Sequence, residues 1–138
     1  MHTVTIVLLP PTAADLWQAG SDLLRPHRDG GDRPSRLDHW TVGGGAIADD
    51  TSAAALGVGV DPDLARNVCF VARLRPDFVP GAVVTPDGGW HDLADLGWRF
   101  LPGDNPANRA AWDGWVDRVR QLLVDHPSCV AVEFDTHS

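Results

Sequence analysis

Polar and apolar positions alternate at the start of the chain, Thr3-Val4-Thr5-Ile6, and then give way to the unbroken run Val7-Leu8-Leu9. That change predicts a strand covered on one face at its start and on both by its end. Thr12 then offers a hydroxyl cap, Asp15 complements a helix N-terminus, and Ala13, Leu16, Trp17, Gly20, Leu23 and Leu24 recur at helical spacing. This helix is expected to end at Arg25-Pro26, because the residue before proline is pushed out of the helical region.

Residues 25–36 carry four Arg and two Asp around Gly30-Gly31 and read as a mobile loop, either a solvated linker or a basic segment that closes over a small anion. The β-branched and aromatic content of Leu37 to Val42 predicts a second strand, closed by Gly43-Gly44-Gly45. Weaker signals follow: a capped turn at Asp49 to Ser52, another at Asp61-Pro62, and a short strand over Val68 to Ala72. Ala82 to Thr85 reads as a strand entering a Pro86-Asp87-Gly88-Gly89 turn, with Trp90-His91 beginning the return. Asn105-Pro106 places a cap before a first-turn proline, and Trp112, Trp115, Val116, Val119, Leu122 and Leu123 form an apolar stripe that stops at His126-Pro127. Cys129 to Phe134 makes the last strand, with Val130, Val132 and Phe134 on one face and Glu133, Asp135 and His137 on the other.

The inward positions of the two long helices share one spacing, and each helix lies between strand-rich segments. The order β-α-β then β-α-β predicts one α+β domain over residues 1–138: a ferredoxin-like split βαβ sandwich, both helices on one sheet face, with an irregular insert at 46–80 between the halves. The other face then needs a cover. Either the insert and the Trp90 to Leu101 stretch lie across it, or a second copy does, making a homodimer around a shared pocket.

Composition narrows the partners. The chain has 138 residues, 11 basic against 19 acidic, and a formal charge of -8. Such a surface repels phosphate, which argues against nucleic acid and anionic membranes. The apolar run after Met1 stops at Pro10-Pro11, too short for a signal-peptide core or a membrane span. Cys69 and Cys129 sit in apolar segments and read as reduced structural thiols, so the expected compartment is the cytoplasm. All eleven basic residues are Arg. Without Lys, P-loop phosphate chemistry and Schiff bases are excluded, and no Gly-x-Ser-x-Gly, Cys-x-x-Cys or His-Glu-x-x-His is present.

The densest candidate chemistry is Thr85 to Asp92. A β-turn accounts for Pro86 to Gly89, but Trp90 and His91 can form a pocket wall carrying a titratable group. Asp135 and His137, two apart on an extended segment, share a face. If the turn bearing His91 folds over that face, His91, His137 and Asp135 offer a two-imidazole, one-carboxylate set for a divalent metal, or an Asp-oriented general base. His39 on the second strand is placed to join them. Trp40, Trp90 and Trp98 are the candidate walls of a ligand pocket, Gly43 and Gly44 either present backbone amides to an anion or mark a strand end where only glycine fits, and Arg99 is an anchor for an anionic ligand or faces water.

The elements Asp38 to Gly44, Val84 to Asp92, and the Trp112 to His126 helix leading into Val132 to His137 resemble a family of small uncharacterised proteins of actinobacteria and their phages. The resemblance covers about two-thirds of the chain and implies only that the Gly-Gly, Trp-His and Asp-x-His elements belong together. The chain departs from the pattern after Gly44, where an Arg-Trp pair is usual and Gly45-Ala46 stand instead. The leading expectation is a small-molecule-binding module with a Trp-lined pocket and a polar end at His91, Asp135 and His137. A metal-assisted or His-Asp acid-base enzyme and an acidic interaction or phage and host regulatory protein are the alternatives. The sequence names neither a metal nor a cofactor.

Overall fold

The computed structural model describes residues 1–30, 35–45, 47–99 and 105–138. Its strands are β1 (His2–Leu9), β2 (His39–Val42), β3 (Val68–Phe70), β4 (Ala82–Val84), β5 (Trp90–Asp92) and β6 (Val130–His137). The helices are α1 (Leu16–Asp29), α2 (Asp50–Leu56), α3 (Pro62–Arg66) and α4 (Pro106–Asp125), with 3-10 turns at Val71–Arg73 and Leu93–Leu96. The six strands form one mixed sheet in the order β2-β6-β1-β4-β5, and β3 also pairs with β6. The chain is therefore α+β.

β1 is the centre of this sheet. It runs antiparallel to β6 over its whole length, from His2 opposite His137 to Leu9 opposite Val130, and parallel to β4 on its other side. Ile6, Val7 and Leu8 are fully buried, as the unbroken apolar run predicts for a strand covered on both faces. β2 pairs with residues 134–137 of β6 and β3 with residues 130–132, so the two lie end to end along one edge. Between them the chain leaves the sheet, builds α2 and α3, and returns. Glu133 faces that break: its carbonyl accepts from the Gly43 N–H at 3.2 Å, and its own N–H donates to the Asn67 carbonyl at 2.8 Å.

The strand order differs from the split βαβ order. In that arrangement the strand after the first helix would occupy the edge beyond β4. Here the Pro86 to Gly89 turn returns the chain at once beside β4, so β5 takes that edge and β2 joins β6 instead. The helices also lie on opposite faces, not on one. Leu16 and Leu24 of α1 pack with Val7, Val84, Val130, Val132 and Phe134, whereas Trp115, Val119 and Leu122 of α4 pack with Ile6, Leu8, Val83 and Ala131. The face expected to need the insert or a second copy is covered by α4.

Local signals account for the element ends. Asp15, rather than Thr12, caps α1, its carboxylate accepting from the Gln18 N–H at 2.9 Å. The helix runs through Pro26 to Asp29 and closes at Gly30, whose φ of +78° suits glycine. Asn105 caps α4 as expected, accepting from Ala107 at 2.9 Å and Asn108 at 3.3 Å. β6 continues past Phe134 to His137 because β1 and β2 flank it there. Of the stretch read as a loop at 25–36, residues 25–29 are helical and 31–34 lie outside the described residues.

Candidate functional site

The predicted polar end does not assemble. His91 on β5 stands opposite Val83, which is level with Ile6 on β1 and through it with Glu133 on β6. His137 is four residues further along β6 and three strands away, a backbone separation on the order of 20 Å. The Gly88 turn lies beyond the far end of β4, while His137 pairs with His2 where β1 begins. The two imidazoles share a sheet face but stand at different places on it, and the turn bearing His91 does not fold over His137.

His91 is half-buried beneath α4. Arg118 donates to its Nδ1 at 3.3 Å, and the two line a recess of about 270 Å³ with Asp95, Leu96 and Trp115. Burial first, and then the Arg118 charge, hold His91 below the ordinary histidine value, with Asp95 and Asp87 opposing. The preceding turn is held both from within and by α1, whose His27 Nε2 lies 2.8 Å from the Gly88 carbonyl oxygen. Thr85 donates to Asp87, which also accepts from the Gly89 N–H at 3.1 Å and is held below the usual carboxylate range, chiefly by the Thr85 hydroxyl.

The predicted aromatic pocket forms in part. A cleft of about 740 Å³ opens at the end of the sheet where β1 and β4 begin. Its floor is Thr3, Val4, Gly81 and Ala82. The Gly81 backbone lies so close to β1 that a Cβ there would stand 2.6 Å from the Thr3 methyl, which explains the glycine. Trp90 and Asp92 of β5 line the cleft together with Val79 and Leu93. Trp98 and Arg99 complete the lining beyond the 3-10 turn, fastened to α4 because Asn108 accepts from the Arg99 N–H at 3.0 Å and donates to its carbonyl at 2.6 Å.

Arg36 enters this cleft from the basic segment at 25–36, for which closure over a small anion is the alternative to a solvated linker. It donates to Asp92 at 3.2 Å and lies 3.5 Å from Asp95. Asp92 also accepts from the Trp90 indole N–H at 2.8 Å, which fixes that ring. Trp40 belongs elsewhere: it donates to Ser21 of α1 at 3.1 Å, with Arg28 over its ring at 5.4 Å. Gly43 and Gly44 also lie outside the cleft lining, near the Glu133 break.

Glu133, expected only as part of a polar sheet face, is a further titratable group at the β2–β3 break. It is fully buried, neither carboxylate oxygen has a hydrogen-bond partner among the described residues, and burial pushes it up to about 7. The available signal was one carboxylate inside an otherwise apolar strand, Val130 to Phe134.

Asp135 and His137 are held at the other end of β6. Asp135 lies 3.0 Å from His2 Nδ1, and His137 lies between the rings of His2 and His39. Comparison with known families, with curated proteins and with solved structures returned no match to this chain. No helix among the described residues is long and apolar enough to cross a membrane.

Proposed function

We propose that the chain is a small-molecule-binding module whose ligand is a flat, largely apolar molecule carrying one anionic group. The observation that carries this reading is the cleft of about 740 Å³, within the size range of ligand sites, lined by Trp90 and Trp98 and supplied with two guanidinium groups, Arg36 and Arg99. The indoles offer flat apolar surface for stacking. Arg36 is already positioned by Asp92 and Asp95 through Nη1, and its remaining N–H groups, which have no partner among the described residues, suit a carboxylate or sulfonate in two-point contact. Two buried free thiols fit a reducing compartment, and we place the module in the cytoplasm.

The acid-base enzyme reading gains nothing from the separation of His91 and His137. Anilinonaphthalene sulfonate, which is flat, apolar and anionic, tests the binding reading by fluorescence titration. The native protein binds it, and Trp98→Ala and Arg36→Ala each weaken binding by roughly tenfold. Trp40→Ala leaves the affinity unchanged. Full affinity in Trp98→Ala with loss in Trp40→Ala would overturn the assignment of the cleft.

A further inference from the structure

Three histidines form a row across the sheet. His2 on β1 stands opposite His137 on β6, and His137 stands opposite His39 on β2. Residues directly opposite in antiparallel strands share a face, so the three rings project together where β1 begins. The His2 and His137 ring centroids are 4.9 Å apart, edge to face, and those of His137 and His39 are 4.8 Å apart, stacked.

Two carboxylates flank the row. Asp135 lies 3.0 and 3.1 Å from His2 Nδ1, and Asp38 lies 3.3 Å from His137 Nδ1. An imidazole that donates Nδ1–H to a carboxylate turns its Nε2 lone pair outward, the arrangement that supports histidine ligands to metals. His39 has no hydrogen bond among the described residues; its contact is the stack on His137. His137 Nε2 does not point outward unopposed: it lies 3.2 Å from the Met1 nitrogen, a contact that a metal ion on Nε2 displaces.

We propose that His2, His137 and His39 jointly bind one divalent transition-metal ion of the class that prefers imidazole, zinc being the first to test, with Asp135 and Asp38 as positioning residues. Zn–N bonds of 2.0–2.1 Å in tetrahedral geometry set ligand nitrogens roughly 3.3 Å apart. The His137 ring lies within 5 Å of each neighbour, and His2 and His39, one on either side of it, reach the metal spacing by side-chain rotation over His137, with the backbone held. Among the described residues no three His, Cys, Asp or Glu side chains yet surround one point, so binding turns the rings toward one another. His2 and His39 are both exposed, and no packing opposes that turn. Three imidazoles leave a fourth position open, and His2 also lines the cleft, so a donor on the cleft side can complete the shell. The inference rests on the histidine row and stands whether or not the cleft binds an aromatic anion.

The test uses the whole chain without an affinity tag, stripped of metal by a chelator. Zinc is titrated by calorimetry and cobalt(II) by its visible absorption. The expected result is one ion per chain, with cobalt bands of a four- or five-coordinate site. His39→Ala and His137→Ala each weaken zinc binding at least ~tenfold, and Asp38→Asn weakens it by about tenfold. His126→Ala, outside the row, leaves it unchanged. His39 is exposed, so thermal unfolding of His39→Ala matches the parent and the loss is not one of folding. No uptake at submillimolar zinc overturns the proposal. So does binding that survives in both His39→Ala and His137→Ala, because His2 and the Met1 nitrogen would then be the ligands by themselves.

Discussion

Gly45 lies against the Glu133 carboxylate: a Cβ on this glycine would stand 3.0 Å from Oε1 and 3.4 Å from Oε2. Gly44 and Gly45 are exposed on their outer side, so a thin layer of backbone separates a fully buried carboxyl from solvent. The side chain is level with Ile6 of the central strand, and burial raises its pKa to about 7 with only the Arg75 charge opposing. A carboxyl whose folded value exceeds its unfolded value near 4.5 leaves stability intact below the unfolded value and removes it as pH rises through the folded one. Stability is therefore expected to fall by up to about 3 kcal/mol between pH 4.5 and pH 8. Urea unfolding across that range measures it. Glu133→Gln keeps the shape, removes the titration, and is more stable than the parent at pH 8. Identical pH dependence in parent and variant would mean that this carboxyl does not titrate on unfolding.

Gly20 of α1 meets Phe134 of β6 so closely that a Cβ there would stand 2.6 and 2.8 Å from two ring carbons. Two effects compete in Gly20→Ala. Helix propensity favours alanine by about 1 kcal/mol. The clash opposes it, and Phe134 is fully buried with Trp17 stacked on it at 5.3 Å, so the ring has little room to yield. Overpacking of this kind costs roughly 1–3 kcal/mol, so the net expected outcome is a loss of stability. A rise in denaturation midpoint would show that α1 slides on the sheet at small cost.

The Ile6 to Leu9 run, the Asn105 cap of α4 and the Pro86 to Gly89 turn were legible because each is a local signal. Which face a helix covers is not local. Cys129, Ala131 and Cys69 are small, so the α4 side of the sheet resembles an uncovered face in the sequence, although Trp115 fills the space above it. Glu133 strengthened that misreading by standing for a polar face while lying within the core. Trp90, Trp98 and Arg99, close in sequence, line one cleft, whereas Trp40, expected beside them, packs on α1. The pairing of Arg36 with Asp92 spans 56 residues, so no local signal joins them. The meeting of His91 and His137 depends on the turn bearing His91 folding over the Asp135 and His137 face, and only the strand order, with β4 and β1 between them, decides that it does not.

Cys69 and Cys129 are buried free thiols, and the Cys69 S–H donates to Asp49 at 3.2 Å. Burial, assisted by that carboxylate, pushes Cys69 up to about 11, and burial also raises Cys129. Thiolate is the reacting species, so neither residue is expected to react with a disulfide reagent at pH 8 in the native state. Both react once urea unfolds the chain. Rapid labelling of one thiol under native conditions would show that β3 or the end of α4 opens locally.

Trp112 and Trp115 are three residues apart on α4 and had the same predicted role, yet they are not equivalent. Trp115 is 1% exposed and donates its indole N–H to the Pro80 carbonyl at 2.7 Å, whereas Trp112 is 41% exposed. Trp115→Phe removes that donor, leaves a buried carbonyl without its partner, and opens a void where the second ring stood. The two losses together are expected to cost roughly 2–4 kcal/mol. Trp112→Phe is expected to change stability by less than about 0.5 kcal/mol. Pro80 immediately precedes Gly81 in the cleft floor, so Trp115→Phe has a second consequence that simple core loss would not produce. Under conditions where the variant remains folded, the freed Pro80–Gly81 segment is expected to weaken binding of the aromatic sulfonate, while Trp112→Phe binds it as the parent does. Equal binding by both variants would mean that the cleft floor is held by β1 and β4 without help from the helix behind it.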